Sequence, residues 1–299
     1  MATMIITDST AYLEYYKLYG EPIRVIPTPI IWNNKQYYDM IDINSRQFYH
    51  DLPNGKKTPQ TYSPSIENVK SILSEIDGDR YSDVIFIPMI SEISSFELVL
   101  SSIGKKFKNL NIYVFAANST CGAMAMLVEL AAELSLSNVP PVIILEKLQQ
   151  LRDSIKTFFS VYDLKYLYHT GRMKYFTSIF DNLLKHYPIV ELDARNGGTF
   201  DVVNKHKSYQ SSLIYIEDEL SQYIDDNPKV PIRAVIYDTI LKNIHQEWLV
   251  SFQNRFPTVS FESSIIGPAV GTHTGRKTIG ISWGYDWKHI VKDTLDNKG

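Results

Sequence analysis

Cysteine is nearly absent from this chain of 299 residues, which contains only Cys121. A single thiol excludes an intramolecular disulfide and a cysteine-based metal site. The histidines are scattered along the chain and form no pairs at the spacing of metal ligands. We therefore expect no metal ion and no other resident cofactor.

Neither sign of charge dominates, and long apolar runs are missing. The formal net charge is -3 and no basic stripe stands out, which argues against a nucleic-acid partner. No window reaches the roughly 18 apolar residues that a membrane-spanning helix requires. The N-terminus lacks the charged and apolar regions of a signal peptide. We expect a cytoplasmic protein without a stable membrane span.

Nucleotide-binding motifs and a complete hydrolytic set are also missing. The chain has neither a P-loop nor the G-x-G-x-x-G fingerprint of dinucleotide-binding proteins. Gly280–Gly284 does match G-x-S-x-G, the nucleophile elbow of serine hydrolases, with Ser282 as the nucleophile. That fold needs an acid and a histidine after the serine, and little chain follows Gly284. A hydrolase using Ser282 is therefore a distant alternative, and no self-contained catalytic set emerges.

The pattern of the first half indicates an α/β arrangement. Hydrophobic residues make up 44% of the chain and charged residues 21%, as in an ordinary globular protein. Strand-like apolar runs alternate with stretches of helical periodicity, and the predicted strands are Met4–Thr7, Ile23–Trp32, Asp83–Ile90 and Asn111–Ala116. This alternation predicts a parallel sheet with crossover helices, in which ligands bind beyond the carboxyl ends of the strands.

The second half changes character near residue 160. Asn196–Gly198 is typical of a hairpin turn between two strands, and helices are predicted at Ser211–Ile224 and Ile244–Phe256. We predict an N-terminal parallel-sheet α/β domain at residues 1–160. A closely joined C-terminal α+β domain with a largely antiparallel sheet follows at residues 161–299.

Hydroxyl-bearing residues precede several of the predicted helices. Thr61 lies on a loop just ahead of a helix capped by Ser65, and Ser94 or Ser95 caps a later one. Asn118–Thr120 is expected to cap the long helix that follows it. Capping is the ordinary role of such residues, although the N-terminus of a helix can also hold an anion.

The stretch Ile265–Gly280 stands out because it contains four glycines and a proline. Such a backbone suits tight turns and close approach to another group. We predict strand, loop and strand here, with His273 on the glycine-rich loop. A histidine in such a position is more often a turn residue than a functional one.

Several segments, taken in order, resemble the DegV family. Ile266–Gly275 matches the signature IGP-x-x-G-x-H-x-G. The other matching segments are TDST at Thr7–Thr10, T-S-Q-P-S at Thr61–Ser65, L-S-G-T at Ile93–Phe96, Asp-Ser at Asn118–Ser119, and D-L-x-Y-L followed by G-G-R at Asp163–Arg172. The resemblance covers nearly the whole chain. The departures are Tyr62, Ser63, Ser95, Phe96, Asn118 and Thr170.

The resemblance implies a DegV-like fold and a buried long-chain fatty acid, such as palmitate, as the bound ligand. It implies that Thr61, Ser94 and His273 hold the carboxylate and that Arg172 lies near the same end. A separate fatty-acid kinase subunit would make the acyl-phosphate, so this chain would not be an enzyme by itself.

Two questions remain open at this point. Lys205 and Lys207, like Arg172, are candidate docking or phosphate-steering cations, but they are equally well read as solvated side chains. The alternative function is an enzyme subunit of the related dihydroxyacetone-kinase-like fold, in which a histidine holds a small carbonyl substrate. A three-carbon substrate needs a small polar pocket, whereas an acyl chain needs a long apolar one.

Overall fold

The computed structural model describes residues 3–13, 22–54, 57–76, 81–89, 107, 109–171 and 186–297. The strands are β1 Thr3–Asp8, β2 Ile23–Ile26, β3 Pro29–Trp32, β4 Lys35–Tyr38, β5 Gln60–Thr61, β6 Asp83–Ile87, β7 Asn111–Val114, β8 Lys156–Ser160, β9 Tyr187–Asp193, β10 Thr199–His206, β11 Ile232–Asp238, β12 Ser260–Ile265 and β13 Ile279–Tyr285. The helices are α1 Ser45–Asp51, α2 Ile66–Ile76, α3 Cys121–Leu136, α4 Pro141–Ser154, α5 Lys165–His169, α6 Tyr209–Asp226, α7 Lys242–Arg255, α8 Pro268–Thr274 and α9 Trp287–Asp296.

The first sheet is parallel throughout, with the strand order β2-β1-β6-β7. Its central strands β1 and β6 are almost fully buried, as their near-continuous apolar sequences predict. The predicted N-terminal parallel sheet is therefore confirmed.

The predicted strand Ile23–Trp32 is wrong in one respect, because it is two strands in two different sheets. β2 belongs to the parallel sheet, whereas β3 forms an antiparallel sheet of order β4-β3-β5. The break falls at Pro27-Thr28, where proline has no N–H to donate to a ladder. The Thr28 N–H instead donates to the Ser9 hydroxyl at 3.1 Å, and the Thr28 carbonyl accepts from the Asp39 N–H. Apolar sequence continues across the break, so the pattern alone did not reveal it.

The second large sheet has six strands in the order β10-β9-β8-β13-β11-β12. Every pair in it is antiparallel except β11 with β12. This confirms the predicted α+β character with a largely antiparallel sheet. Its first strand in the chain, Lys156–Ser160, lies on the N-terminal side of the predicted division at residue 160, and that division stays a prediction.

Helix α3 joins the two large sheets into one core. Most of its side chains are buried, on nearly every face of the helix. Ile5 and Ile85 of the parallel sheet and Val235 and Tyr237 of the other belong to the same apolar cluster as this helix. No helix in the described ranges is long and apolar enough to cross a membrane.

The segment predicted as strand, loop and strand at Ile265–Gly280 is strand, helix and strand. Residues Pro268–Thr274 form the short helix α8, which is buried along its whole length. Proline at the first helical position suits its start, and Gly275, with a φ of 70°, ends it. The glycines permit close packing rather than a loop. A Cβ at Gly267 or Gly271 would collide with the rings of Tyr12 or Tyr49.

Replacing Gly271 by alanine is expected to destabilise the fold. The added Cβ would overlap the Tyr49 hydroxyl and ring, and overpacking of a core typically costs about 1–3 kcal/mol. Urea unfolding of Gly271→Ala, Tyr49→Phe and the double variant measures this. Because Tyr49→Phe removes the atom closest to the new methyl, the double variant should lose less than the sum of the single losses. Strict additivity would contradict the proposed steric conflict.

Candidate functional site

Two of the residues singled out by sequence lie in direct contact. The Thr61 Oγ1 atom is 2.9 Å from the His273 Nε2 atom, a hydrogen bond between residues 212 positions apart. His273 is only 7% exposed, and Thr61 is half-buried. The structure therefore brings together a hydroxyl and an imidazole at the edge of the protein interior.

His273 is oriented by the short helix α8. The hydroxyls of its two neighbours, Thr272 and Thr274, donate to helix carbonyls four residues earlier, at 3.0 and 3.4 Å. These bonds hold the threonine side chains against their own helix, as is common for hydroxyl residues within helices. The imidazole between them faces Thr61.

Thr61 is held by the small antiparallel sheet. It pairs with Ile30 of β3, and the following residue, Tyr62, donates its N–H to the Pro29 carbonyl at 3.0 Å. Helix α8 packs against both β3 and β5. The hydroxyl of Thr61 is thus placed by a backbone ladder, which is more rigid than the loop that the sequence predicted.

The N-terminus of helix α8 is held by a buried network around Asp39. The Ala269 N–H donates to the Asp39 carboxylate at 3.1 Å, and the Ser9 hydroxyl donates to its other oxygen at 2.7 Å. The Val270 N–H donates to the Tyr12 hydroxyl at 3.1 Å. These bonds satisfy N–H groups that have no partner within the helix.

Burial raises the pKa of Asp39 from 3.8 to about 7, although the hydrogen bonds from Ser9 and Ala269 favour the ionised form. Burial also raises the pKa of Asp8, whose carboxylate accepts from the N–H groups of Thr10 and Met89 at 2.9 and 2.8 Å. The carboxyl groups of Asp8 and Asp39 are therefore both buried beside Ser9 and Thr10.

A narrow apolar cavity lies beside His273. Aliphatic and aromatic side chains from the six-stranded sheet and from helices α5 and α8, together with Met89 just after β6, form most of its wall. The lining residues are Thr10, Met89, Thr120, Phe159, Leu167, Phe200, Ala269, Val270, His273 and Thr274.

The other predicted site residues are either outside the described ranges or exposed on the surface. Ser94, Ser95, Phe96 and Arg172 lie outside the described residues. Lys205 and Lys207 are exposed on, and just after, the edge strand β10. At about 3.3 Å per residue, Lys205 is roughly 15 Å along that strand from Phe200 of the cavity.

The predicted cap Asn118–Thr120 is wrong in its details. Thr120 is the N-cap residue of α3, but its side chain does not cap the helix and instead donates to the Thr10 carbonyl at 3.3 Å. The Asn118 amide donates to the Ala194 carbonyl at 3.0 Å. Sequence reasoning thus took Thr120 for a local cap and missed its place, with Thr10, in the cavity wall. Its position after a strand end was the only available signal.

Ser282 is buried and hydrogen-bonded inside the protein, unlike the serine of a hydrolase. Its hydroxyl is fully buried in the middle of strand β13, 2.8 Å from the Thr157 hydroxyl and 2.6 Å from that of Tyr237. A nucleophile elbow would place the serine on an exposed turn between a strand and a helix. Among the described residues, no group of acidic, histidine or cysteine side chains could hold a metal ion.

This fold and its sequence define a family. The family model described as an uncharacterised protein of the DegV family matches residues 2–286. The chain therefore belongs to the DegV family, as the motifs indicated.

Individual relatives agree over almost the full length. Protein DegV of Bacillus subtilis is 26% identical over 284 residues, which cover 95% of this chain and 99% of the relative. A DegV domain-containing protein of Listeria monocytogenes is 26% identical over 279 residues, covering 93% of this chain and 97% of the relative.

The solved structures share the fold. The crystal structure of DegV, a fatty acid binding protein from Bacillus subtilis, superimposes with a TM-score of 0.85 at 25% identity, covering 95% of this chain and 99% of that one. The Streptococcus pneumoniae Fatty Acid Kinase B3 protein, solved loaded with linoleic acid, gives a TM-score of 0.81 at 16% identity, covering 96% and 100%. The chain thus has the fold of DegV proteins that bind fatty acids.

Asp39 should make stability depend on pH. Between pH 3.8 and about pH 7, Asp39 holds a proton in the folded protein that it does not hold in the unfolded chain. Stability should therefore fall as the pH rises through this window, by up to about 1.4 kcal/mol per pH unit. Asp39→Asn should lose this component, so its stability relative to wild type should improve with rising pH. Urea unfolding across the window measures it. The exposed Asp42→Asn serves as the control, and an unchanged pH dependence in Asp39→Asn would contradict the assignment.

Proposed function

We propose that this protein binds a long-chain fatty acid and presents it to a separate kinase subunit. Thr61 and His273 contact the carboxylate, and the apolar cavity beside His273 receives the acyl chain. In this reaction the protein acts as a carrier and leaves the phosphoryl transfer to the kinase subunit. The observation that supports this most directly is the 2.9 Å hydrogen bond between Thr61 and His273, which also lines an apolar cavity.

The chemistry of this pair suits a carboxylate. If the His273 Nε2 atom carries a proton and donates to the Thr61 oxygen, the hydroxyl hydrogen is available to an incoming acceptor. A carboxylate needs two or three such donors and can be bound without a full counter-charge. In the proposal Ser94 supplies a further donor and Arg172 lies near the same end, both on the strength of the family resemblance.

The wall of the cavity suits an acyl chain. Burial of each methylene contributes about 0.8 kcal/mol, so a long chain among Phe159, Leu167 and Phe200 would be held much more tightly than a short one. This favours the fatty acid over the three-carbon carbonyl substrate of a dihydroxyacetone-kinase-like enzyme. The buried partners of Ser282 likewise disfavour the hydrolase.

The kinase partner is proposed from the similarity to a solved structure. The printed name of the Streptococcus pneumoniae relative makes it part of a fatty acid kinase, and this chain has no P-loop of its own. A kinase subunit would therefore transfer the γ-phosphoryl group of ATP to the carboxylate in the cytoplasm, with ADP as the leaving group. Arg172, Lys205 and Lys207 are candidate cations for docking it or for steering phosphate.

Fatty-acid binding can be tested on the delipidated protein. Wild type should take up palmitate, and Thr61→Val should weaken binding by about 1–3 kcal/mol, because it loses a hydrogen bond to a charged group. Thr61→Ser keeps the hydroxyl and is the matched control. Isothermal calorimetry measures affinity, and mass spectrometry of organic extracts identifies the ligand carried from expression. Absence of palmitate binding, or equal affinity in the valine and serine variants, would contradict the proposed site.

Turnover should require the kinase subunit. Fatty-acid-loaded protein with ATP alone should form no acyl-phosphate, whereas addition of the kinase subunit should start ATP consumption. His273→Ala should lose turnover by more than it loses binding, because the imidazole also orients the carboxylate for transfer. Arg172→Ala should mainly raise the carrier concentration needed for half-maximal rate. Acyl-phosphate made by this chain with ATP alone would overturn the carrier function in favour of an enzyme.

A further inference from the structure

Three side chains outside the Thr61–His273 site form a connected series. The His245 Nδ1 atom is 2.7 Å from an Asp238 carboxylate oxygen, and its Nε2 atom is 3.0 Å from the Ser263 hydroxyl. The side chains of Asp238 and His245 are only 10% and 13% exposed, whereas Ser263 is exposed. The series therefore runs from a buried carboxylate through an imidazole to a hydroxyl in solvent.

Three different elements supply these residues. Asp238 is the last residue of the central strand β11, His245 lies in the first turn of helix α7, and Ser263 lies on the edge strand β12. The His245 N–H donates to the Leu241 carbonyl at 2.9 Å, which fixes the backbone of the helical residue. β12 runs parallel to β11, so the serine is held by a backbone ladder.

The carboxylate decides which atom of the imidazole carries the proton. An ionised carboxylate only accepts hydrogen bonds, so Nδ1 must be the protonated nitrogen in the bond to Asp238. In a neutral imidazole Nε2 is then an acceptor, and the Ser263 hydroxyl must donate to it. This is the arrangement in which a histidine can take the proton of a serine that attacks a carbonyl group.

A purely structural role explains only part of the series. The second oxygen of Asp238 accepts from the Leu241 N–H and so fixes the start of helix α7. That bond does not need His245 or Ser263. The exposed Ser263 hydroxyl could instead bond to water, so the start of helix α7 does not require its alignment with the His245 imidazole.

We propose that Ser263 is a reactive nucleophile that accepts the acyl group of an activated carboxylic ester, with His245 as its base and Asp238 as the residue that orients the base. The Ser263 oxygen forms a bond to the acyl carbon while the bond from that carbon to the alkoxy or aryloxy oxygen breaks. The serine proton passes to His245 Nε2 and then to the leaving group or to water. The product is an acyl-serine ester on an exposed strand, and the reaction does not depend on the fatty-acid site.

The test uses p-nitrophenyl acetate on the full chain at mildly alkaline pH. Release of p-nitrophenolate is followed by absorbance, and peptide mass mapping locates the acetyl group, which separates Ser263 from reactive lysines. Wild type should acetylate at Ser263. His245→Gln should slow acetylation of Ser263 by about a hundredfold or more, the low end of the usual contribution of a general base.

Two controls make the outcome decisive. Ser263→Ala should abolish the adduct at that position, and Ser264→Ala, the adjacent serine on the same strand, should leave it unchanged. Melting curves establish that each variant is folded. An unmodified Ser263 in wild type, or equal rates of modification in wild type and a folded His245→Gln, would overturn the proposal.

Discussion

The close contact between helix α8 and the tyrosine rings of Tyr12 and Tyr49 is the constraint on which the site depends. α8 has only seven residues, too few to be stable without tertiary packing. Glycines at 267 and 271 let the two rings lie directly on its backbone, and the Asp39 carboxylate accepts a hydrogen bond from its first free N–H group, that of Ala269. His273 is therefore fixed by a tightly packed support. A wider helix surface here would move the imidazole away from Thr61.

The carboxyl group of Asp39, which holds the start of helix α8, costs free energy. It is fully buried, and its pKa is raised to about 7. Hydrogen bonds from Ser9 and Ala269 offset part of that cost. An apolar residue at position 39 would avoid the burial of charge but would leave the N–H of Ala269 unsatisfied. The hydrogen bonds of Asp39 thus fix the orientation of helix α8 beside the cavity, at a cost in the stability of the fold.

Much of the fold could be predicted from sequence, and the failures have identifiable causes. Strands such as Asp83–Ile87 were found because a strand buried on both faces has a nearly continuous apolar sequence. The helix at Pro268–Thr274 was missed because local propensity disfavours glycine in helices, whereas its actual stabilisation comes from residues more than two hundred positions away. The Thr61–His273 pairing came from family resemblance, since spacing alone could not bring the two residues together. The positions of Thr10 and Thr120 in the cavity wall could not be predicted, because no periodic pattern in the sequence marks them.

The separation of Thr61 and His273 by 212 positions has a consequence for biosynthesis. A ribosome makes the parallel sheet and the strand that carries Thr61 long before it reaches α8. During that interval the backbones of β1 and β6 can pair, but the imidazole does not yet exist, and Tyr12 and Tyr49 lack the glycine backbone of α8 on which they pack. Formation of the Thr61–His273 pair and the final closure of the core are thus coupled to one late event in translation, the emergence of residues 267–275 from the exit tunnel. Chains that stall earlier would leave the tyrosine rings and the carboxyl of Asp39 without their contacts to α8.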